Sequence, residues 1–495
     1  MKKFIFANQQ TLLFSMSKTL KEQTAHGIFW NLLDKFGQQA IGIIVWIILM
    51  RYFLSPSDYG LVALIYIVNA LGYVIVDSGF SNALIRKKVV TQTELSSVFY
   101  FNVALSLLFY LLIFFAAPFI ALLFQQPILT KLVRLMALVI PLTALSLIQI
   151  TLLSKAINFK KLASINLIAL LCSGLLSLFL AWKGWGVWVL VVQPLSVIFV
   201  KNIGLWCFSS WRPSLIYCRQ SIKELWKYSS KLLATSAMNI ICKNIYTSLI
   251  GIYYPLKEAG FFFNANKYSE IAYQTIMPAI NSTVYPVIAN MEENSESLQN
   301  AFRKTNRVSA FVFFPVMLGL IATAEPLILT AVGTKWLPIV PYFKVICIGY
   351  IFMGFNSIYS TILYIKGKSS AIFNLNLGYN VMLVAGILIT IKMGVLAMAM
   401  GWTIIGIIYT LVFTSYVRKL IQYSLVEQLK DIMPYFTLAF VMGAGVYALS
   451  FIISNPIILV SVQVVSGAAF YLGTSYLLGS KVFREVMEIV KNKMK

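Results

Sequence analysis

Four apolar segments of this sequence carry polar side chains at the spacing of a single helical face. Residues at i, i+3, i+4 and i+7 share one face of an α-helix, and the first segment has this spacing in Asn31, Asp34, Lys35 and Gln38. The other three stripes are Tyr66, Asn69, Tyr73 and Asp77; Lys231, Thr235, Asn239, Cys242, Lys243 and Tyr246; and Asn266, Glu270, Tyr273, Gln274, Asn281 and Tyr285. Cations, amides and phenols arranged in this way predict four helices that line one polar cavity.

Charged residues within apolar segments are the most informative members of these stripes. An ionised side chain at mid-depth in a bilayer costs roughly 2.5 to 3.5 kcal/mol. Lys243 lies near the middle of its segment, so we predict that it faces the cavity, as Lys35 does. The predicted substrate-binding residues are Lys35, Lys243, Asn31, Gln38, Asn239, Asn281, Tyr73 and Tyr273.

The roles of the remaining charges stay open at this level. Asp34 and Glu270 either pair with lysines or bind a coupling ion, a proton or sodium. Asp77 either joins the cavity or caps the loop that follows it. Lys201 lies close to the end of its segment, and we expect it to extend its ammonium group to the membrane interface.

No arrangement of residues in the sequence predicts catalysis. The chain has neither a phosphate-binding G-x-x-x-x-G-K-S/T loop nor a zinc-binding H-E-x-x-H motif. His26 is the only histidine, and the five cysteines are scattered, which predicts no metal site and no cofactor. We therefore expect a protein that is not an enzyme. Any energy that it uses must come from an ion gradient, the membrane potential or the gradient of its own substrate.

The composition identifies the elements that position these stripes. Of the 495 residues, 59% are hydrophobic and 11% are charged, whereas soluble proteins carry roughly 25% charged residues. The chain is therefore predicted to be an all-α polytopic membrane protein. Apolar runs of spanning length, of which the eighth is the weakest, lie near residues 27–50, 59–77, 97–124, 132–153, 163–182, 186–208, 229–252, 266–289, 308–330, 339–364, 371–391, 394–417, 433–453 and 456–478.

The distribution of basic residues supports fourteen spans and orients them. Of the 40 lysines and arginines, 28 fall on the side of the N-terminus, 9 fall on the other side, and Lys35, Lys201 and Lys243 remain within spans. Cytoplasmic loops carry the excess of basic residues, so both termini are predicted to be cytoplasmic. Topology thereby explains most of the net charge of +24 without any nucleic acid.

The first twelve spans contain an internal repeat. The turn at residues 52–60 recurs at 253–260, and at an offset of 208 Ala117-Pro118 pairs with Glu325-Pro326 and Gly186-Val187 with Gly394-Val395. Six helices per repeat is an even number, which predicts two parallel lobes with the substrate between them, working by alternating access. The predicted divisions are an N-terminal segment (1–26), an N-lobe (27–208), an amphipathic cytoplasmic linker (209–228), a C-lobe (229–417), two further spans (418–480) and a basic tail (481–495). Met16 is an alternative start.

Several short stretches resemble a known family of membrane transporters. They include Lys335-Trp336-Leu337-Pro338 and lie at residues 76–85, 95–102, 211–215, 335–338 and 427–431. In these stretches the chain resembles the Wzx-type flippases of lipid-linked oligosaccharides, in the polysaccharide-transporter branch of the multidrug/oligosaccharidyl-lipid/polysaccharide exporter superfamily.

The resemblance implies a substrate, a location and partners. The substrate would be an undecaprenyl-diphosphate-linked glycan moved to the periplasmic leaflet of the bacterial inner membrane, for O-antigen, capsule or exopolysaccharide. Membrane lipids and glycan polymerase machinery would be its partners. Related lipid II flippases use cavity arginines, whereas this chain offers Lys35 and Lys243 at corresponding spans. A lysine is a compact point charge that suits a diphosphate, and the neutral polar residues suit sugar hydroxyls.

Three other functions remain as alternatives. A drug or cation antiporter of the same superfamily would need a cavity dominated by carboxylates, against the lysines within the spans. A membrane-embedded glycosyltransferase would need a large outer loop with clustered acids, and every outer connection here is short. A lipid II flippase is a close variant that the scarcity of arginine disfavours.

Overall fold

The computed structural model describes residues 20–77, 80–87, 89–289, 295–480 and 482–484. Every regular element within these ranges is helical. The α-helices are α1 (Leu20–Ile48), α2 (Pro56–Asp77), α3 (Phe80–Arg86), α4 (Gln92–Leu123), α5 (Ile128–Ala137), α6 (Val139–Lys155), α7 (Phe159–Trp182), α8 (Trp188–Phe208), α9 (Arg219–Tyr253), α10 (Leu256–Ala289), α11 (Ser295–Ala322), α12 (Ala324–Val332), α13 (Ile339–Ile365), α14 (Ser369–Thr390), α15 (Val395–Ile421), α16 (Leu425–Ala448) and α17 (Pro456–Leu477). A π-helical turn, Leu49–Phe53, extends α1, and 3₁₀ turns lie at Thr334–Trp336 and Leu449–Phe451.

Local sequence signals set where several helices begin. Thr91 and Glu94 form a capping box at the start of α4, and Ser424 and Glu427 form another at the start of α16. In each box the hydroxyl accepts a bond from the backbone three residues on, while the glutamate accepts one from the cap residue. Asn455 caps α17 through its side-chain oxygen, with proline at the first helical position. Such caps satisfy backbone groups that would otherwise be left unpaired at helix ends.

The protein is a multi-pass membrane protein. In the described part of the chain, twelve helices are long and apolar enough to cross a bilayer, and they correspond to predicted spans one to six and nine to fourteen. The seventh and eighth predicted spans fall on α9 and α10, which have 35 and 34 residues. Both are too polar to be counted as membrane spans on hydropathy alone, so the predicted count of fourteen is not confirmed.

The chain divides into two compact units with similar internal packing. Unit 1 comprises Met1–Leu54 and Leu61–Ile245, and unit 2 comprises Ser55–Gly60 and Tyr246–Lys495. Within unit 1, α4 packs on α5 and α6, α6 packs on α8, and α7 packs on α8. Within unit 2 the helices at equivalent places in the predicted repeat form the same pairs, α11 with α13, α13 with α15 and α14 with α15.

Turn conformations recur at the spacing of the repeat. Gln125 and Gly333 both have positive φ, 52° and 91°, at positions 208 residues apart. Gly186 and Gly394, also 208 apart, have φ of 54° and 106°. Glycine reaches this region without steric cost. A positive φ at matching positions favours a duplicated arrangement of helices.

Two prolines within helices each leave one backbone carbonyl without its usual N–H donor, and a side chain of another helix donates to that carbonyl instead. Pro118 has no N–H to bond with the Phe114 carbonyl, and Arg134 donates to that oxygen at 3.1 Å. Pro315 frees the Phe311 carbonyl in the same way, and the Tyr471 hydroxyl donates to it at 3.0 Å. The second bond fastens α17 to α11 inside unit 2.

A buried carboxylate fastens α16 to the same helix. The side chain of Asp431 is 5% exposed and accepts bonds from Arg303 Nε at 2.8 Å, Arg307 Nε at 3.0 Å and the Tyr423 hydroxyl at 2.7 Å. Two guanidinium groups and a phenol compensate the cost of burying this charge. The last two helices, which lie outside the repeat, are therefore firmly packed parts of unit 2.

Unit 2 also contains a close crossing of two helix starts. A Cβ added at Gly60 would lie 2.0 Å from the Leu256 carbonyl oxygen, and one added at Gly260 would lie 2.0 Å from the Pro56 oxygen. Only glycine allows the first turns of α2 and α10 to approach so closely. The fully buried Trp336 packs edge-on against Tyr59 beside this crossing.

The segment before α9 is held against unit 1. Ser214 N donates to Ser96 Oγ at 3.0 Å, and Cys218 N donates to Ser97 Oγ at 2.8 Å, both at the start of α4. Ile222 and Leu225 of α9 are buried in a hydrophobic cluster that also contains Leu95 and Val98 of α4. The predicted linker, residues 209–228, is thus an irregular segment followed by the first turns of a continuous helix. The predicted N-terminal segment and basic tail lie almost wholly outside the described residues.

Candidate functional site

Asp34 is the carboxylate of the α1 stripe in unit 1, and it bonds to a neighbouring helix. Asp34 Oδ2 accepts a bond from Asn166 Nδ2 of α7 at 2.9 Å, and Oδ1 accepts one from Gln38 Nε2 at 2.7 Å. Lys201 of α8 interacts electrostatically with the same carboxylate. The expectation that Lys201 extends its ammonium group to the membrane interface stays a prediction. Asp34 therefore has the surroundings of a charge-pairing residue within its own unit.

The other members of this stripe differ in exposure. Lys35 is exposed and Asn31 is half-buried. Successive residues on a helix point about 100° apart, so Lys35 does not share the direction of Asp34 toward α7. Gln38 is exposed, although its amide is engaged with Asp34. Lys35 is therefore a cation of α1 that is accessible to a ligand.

A groove in unit 1 is formed by the second stripe and one apolar residue of α9. It encloses about 290 Å³ and is lined by Tyr66, Asn69, Tyr73 and neighbouring residues of α2, with Ile240 of α9. The predicted residues Asn239 and Lys243 are both exposed on α9 next to Ile240. Three polar residues of α2 that the sequence placed on one face thus line a single surface. The side chain of Asp77, at the end of α2, lies outside the described residues.

The stripe of α10 in unit 2 faces α13. Tyr350 of α13 donates its hydroxyl to Asn266 Oδ1 at 3.1 Å, and Asn281 Nδ2 donates to Ser357 Oγ. The Tyr273 and Tyr350 rings lie 5.3 Å apart. Gln274 Nε2 donates to Glu270 Oε1 at 3.2 Å on the same face. Asn281, Tyr273 and Glu270 are all partly accessible, whereas Tyr285, which the sequence placed on this stripe, has a side chain outside the described residues.

Sequence reasoning missed Lys267. It was counted among the basic residues outside the spans, yet it lies in the third turn of α10 with its ammonium 6.0 Å from the Phe263 ring centroid. Glu270, one turn later, interacts electrostatically with it. A lysine three residues before a glutamate on a polar face is the signal that could have identified the pair.

The two units therefore offer different chemistry. Unit 1 presents accessible lysines with phenols and amides, which suits an anionic group that carries hydroxyls. Unit 2 presents a carboxylate, amides and aromatic rings, and its lysine is matched by Glu270. In the described part of the chain, no group of three or more histidine, cysteine or acidic residues is placed to hold a metal ion.

Residues 48–341, more than half of the chain, match the family described as "Polysaccharide biosynthesis protein". The chain is 28% identical to the succinoglycan biosynthesis transport protein ExoT of Rhizobium meliloti strain 1021, over 65% of each protein. It is 23% identical to the teichuronic acid biosynthesis protein TuaB of Bacillus subtilis strain 168, over 76% of this chain and 79% of that one. It is 22% identical to the lipopolysaccharide biosynthesis protein WzxC of Escherichia coli K12, over 79% and 80%.

Solved structures share the fold. The lipid II flippase MurJ in an inward closed conformation superposes with a TM-score of 0.76 at 17% identity, covering 93% of this chain and all of MurJ. An inward-facing multidrug resistance MATE family transporter of the MOP superfamily superposes with a TM-score of 0.62 at 15% identity, covering 78% and 94%. The described helices thus have the architecture of this superfamily.

Proposed function

Because the chain belongs to the polysaccharide biosynthesis protein family, we propose that it is a flippase for a lipid-linked glycan. It moves an undecaprenyl-diphosphate-linked oligosaccharide from the cytoplasmic to the periplasmic leaflet by alternating access. The product supplies the assembly of O-antigen, capsule or exopolysaccharide. The names of three similar proteins support this class of substrate, since they belong to succinoglycan, teichuronic acid and lipopolysaccharide synthesis.

The observation that carries the proposal is the groove of unit 1 beside Lys243. A diphosphate carries its charge on oxygens and needs a cation held away from bulk water. Lys243 follows Ile240 of the groove by three residues, about one helical turn, so both project from the same side of α9. In our proposal Lys243 and Lys35 bind the diphosphate, while Asn31, Gln38, Asn239, Asn69 and Tyr73 bond sugar hydroxyls.

The acidic residues balance charge in this proposal. Asp34 compensates Lys201 inside unit 1, and Glu270 compensates Lys267 inside unit 2. Lys35 and Lys243 are both exposed, and in our proposal they are the cations that meet the substrate. A drug or cation antiporter of the same fold would instead need accessible carboxylates to bind its substrate, and Asp34 already accepts two hydrogen bonds. The protein works in this proposal as a transporter and not as an enzyme.

We place the protein in the bacterial inner membrane with both termini in the cytoplasm. The excess of basic residues on the N-terminal side of the spans supports this orientation. Glycan polymerase machinery on the periplasmic side would then receive the translocated units. Basic residues on the cytoplasmic face would contact anionic lipid headgroups.

A deletion strain tests the function in cells. We expect loss of the gene to leave undecaprenyl-linked oligosaccharide accumulated on the cytoplasmic leaflet, with surface polysaccharide reduced. The lipid-linked pool is extracted and analysed by mass spectrometry, and expression of the wild-type chain from a plasmid is the control. An unchanged lipid-linked pool with altered drug sensitivity would assign the protein to the antiporters instead.

A further inference from the structure

Three aromatic rings in unit 2 form a continuous row beside the stripe of α10. The Tyr273 and Tyr350 ring centroids are 5.3 Å apart, and those of Tyr350 and Trp402 are 5.2 Å apart. We call these three residues the aromatic shelf. Tyr350 is buried, while Tyr273 and Trp402 at its two ends are only partly covered. The ends of the shelf are therefore open to a ligand.

Hydrogen-bonding groups surround the open end at Tyr273. Glu270 and Gln274 lie on the same face of α10 and are joined by a bond of 3.2 Å. Asn266, one turn before Glu270, accepts the Tyr350 hydroxyl at 3.1 Å, which holds the shelf in place. Gln274 is exposed and Glu270 is half-buried. Together these residues present carboxylate oxygens and an amide next to an aromatic face.

The charge of this region argues against a phosphate ligand. Glu270 would repel an anion, and Lys267 is close enough to interact with that carboxylate. A carboxylate at this place makes the surface less favourable to an anion than the exposed Lys35 and Lys243 of unit 1. A neutral ligand rich in hydroxyl groups fits such a surface, because carboxylates and amides accept and donate bonds to hydroxyls.

The aromatic face adds the second half of sugar recognition. A pyranose ring has one face of polarised C–H groups, which are attracted to the negative face of an aromatic ring. The hydroxyls at the edge of the same sugar then point toward the neighbouring polar groups. Packing in a hydrophobic core would explain the buried Tyr350, but it does not explain a carboxylate and an exposed amide beside Tyr273.

From this combination we propose that the aromatic shelf of unit 2 binds a sugar residue of the lipid-linked substrate. The proposal rests on the proposed flippase function and adds that different residues bind the diphosphate and the sugar. Tyr273, Gln274 and Glu270 bind the carbohydrate and make no contact with the diphosphate. Loss of the shelf therefore weakens binding of a glycolipid without weakening binding of the same lipid diphosphate that lacks sugar.

Two defined probes test this division with the full-length protein in nanodiscs. One probe is undecaprenyl diphosphate, and the other is undecaprenyl-diphosphate-linked glucose; affinities are measured by native mass spectrometry. For Tyr273→Ala we expect about tenfold weaker binding of the glucose-bearing lipid and unchanged binding of undecaprenyl diphosphate. Tyr416→Ala, at an exposed tyrosine of α15 outside the shelf, is the matched control and should alter neither affinity.

A second variant guards against misfolding. Gln274 is exposed, so Gln274→Ala should keep the fold and should weaken the glucose-bearing lipid about threefold. Equal weakening of both probes by Tyr273→Ala and Gln274→Ala would overturn the division of binding, as would equal affinity of both variants and wild type for the glucose-bearing lipid. If the wild-type protein binds neither probe, the proposed flippase function itself fails, and the sugar site fails with it.

Discussion

The polar stripes of the two units occupy equivalent helices but have different chemistry. Tyr73 and Tyr273 are 200 residues apart at matching places in the repeat; Tyr73 lines an open groove, while Tyr273 packs against Tyr350. In unit 1 Lys35 and Lys243 are exposed, whereas in unit 2 Lys267 has an acidic neighbour. The helix pairs are the same in the two units, while the side chains on the stripes differ. The two stripes therefore suit different chemical groups.

The strongest test of this contrast is the loss of a cation from unit 1. Lys243→Ala should reduce transport by about 30-fold or more, equivalent to about 2 kcal/mol, because a charged group in the substrate loses its partner. Lys243→Arg keeps the positive charge and should retain most activity. Surface polysaccharide in a deletion strain that carries each variant gives the measurement, with membrane insertion checked by immunoblotting.

Wild-type polysaccharide in the Lys243→Ala strain would sink the assignment of this residue. The same result together with a defect in Lys267→Ala would reverse the comparison, since it would move the phosphate site to unit 2.

The next largest effect should come from the paired charge of unit 1. Asp34→Ala removes the acceptor of the Asn166 bond and the carboxylate that interacts with Lys201, and it should lower the free energy of unfolding by about 1.5 kcal/mol. The double variant Asp34→Ala/Lys201→Leu should recover most of this loss, because neither charge remains. Thermal unfolding in detergent provides the measurement, and Lys35→Ala is the control that should leave stability unchanged.

A different outcome would change the role of Asp34. If Asp34→Ala unfolds at the wild-type temperature but no longer transports, the carboxylate binds a coupling ion and is not a structural partner of Lys201.

The smallest effect should come from the hydrogen bond that holds the aromatic shelf. Tyr350→Phe removes the bond to Asn266 and should cost about 1 kcal/mol of unfolding free energy. The ring stays in place, so binding of undecaprenyl diphosphate should not change. A stability equal to that of wild type would show that this bond does not hold α10 against α13.

Sequence patterns were sufficient to predict which polar residues share a helical face. They were insufficient to predict which residues of other helices bond to them. The face of Asn31, Asp34, Lys35 and Gln38 follows from helical spacing alone. The partner of Asp34 does not, because Asn166 lies 132 residues away and reaches it only through the packing of α7 on α1. In the same way the contact of Tyr350 with Asn266 joins residues 84 apart. Local spacing carries no information about such pairs.

The fold was also only partly predictable from local sequence. Apolar runs located the twelve helices that are apolar enough to span a bilayer, and caps such as Thr91 with Glu94 are visible in the sequence. The polar α9 and α10 are harder cases, because hydropathy treats the residues of a binding stripe as evidence against a span. The residues that we propose to bind the substrate are the ones that lower the hydropathy of these helices.

Reconstituted translocation tests the central claim most directly. Purified protein is placed in proteoliposomes with a fluorescent undecaprenyl-diphosphate-linked sugar, and the labelled headgroup is followed from one leaflet to the other by its accessibility to a quencher. We expect wild-type vesicles to translocate the lipid and Lys243→Ala vesicles to approach the rate of protein-free vesicles. Wild-type vesicles that match protein-free ones, or Lys243→Ala vesicles that match wild type, would contradict the account.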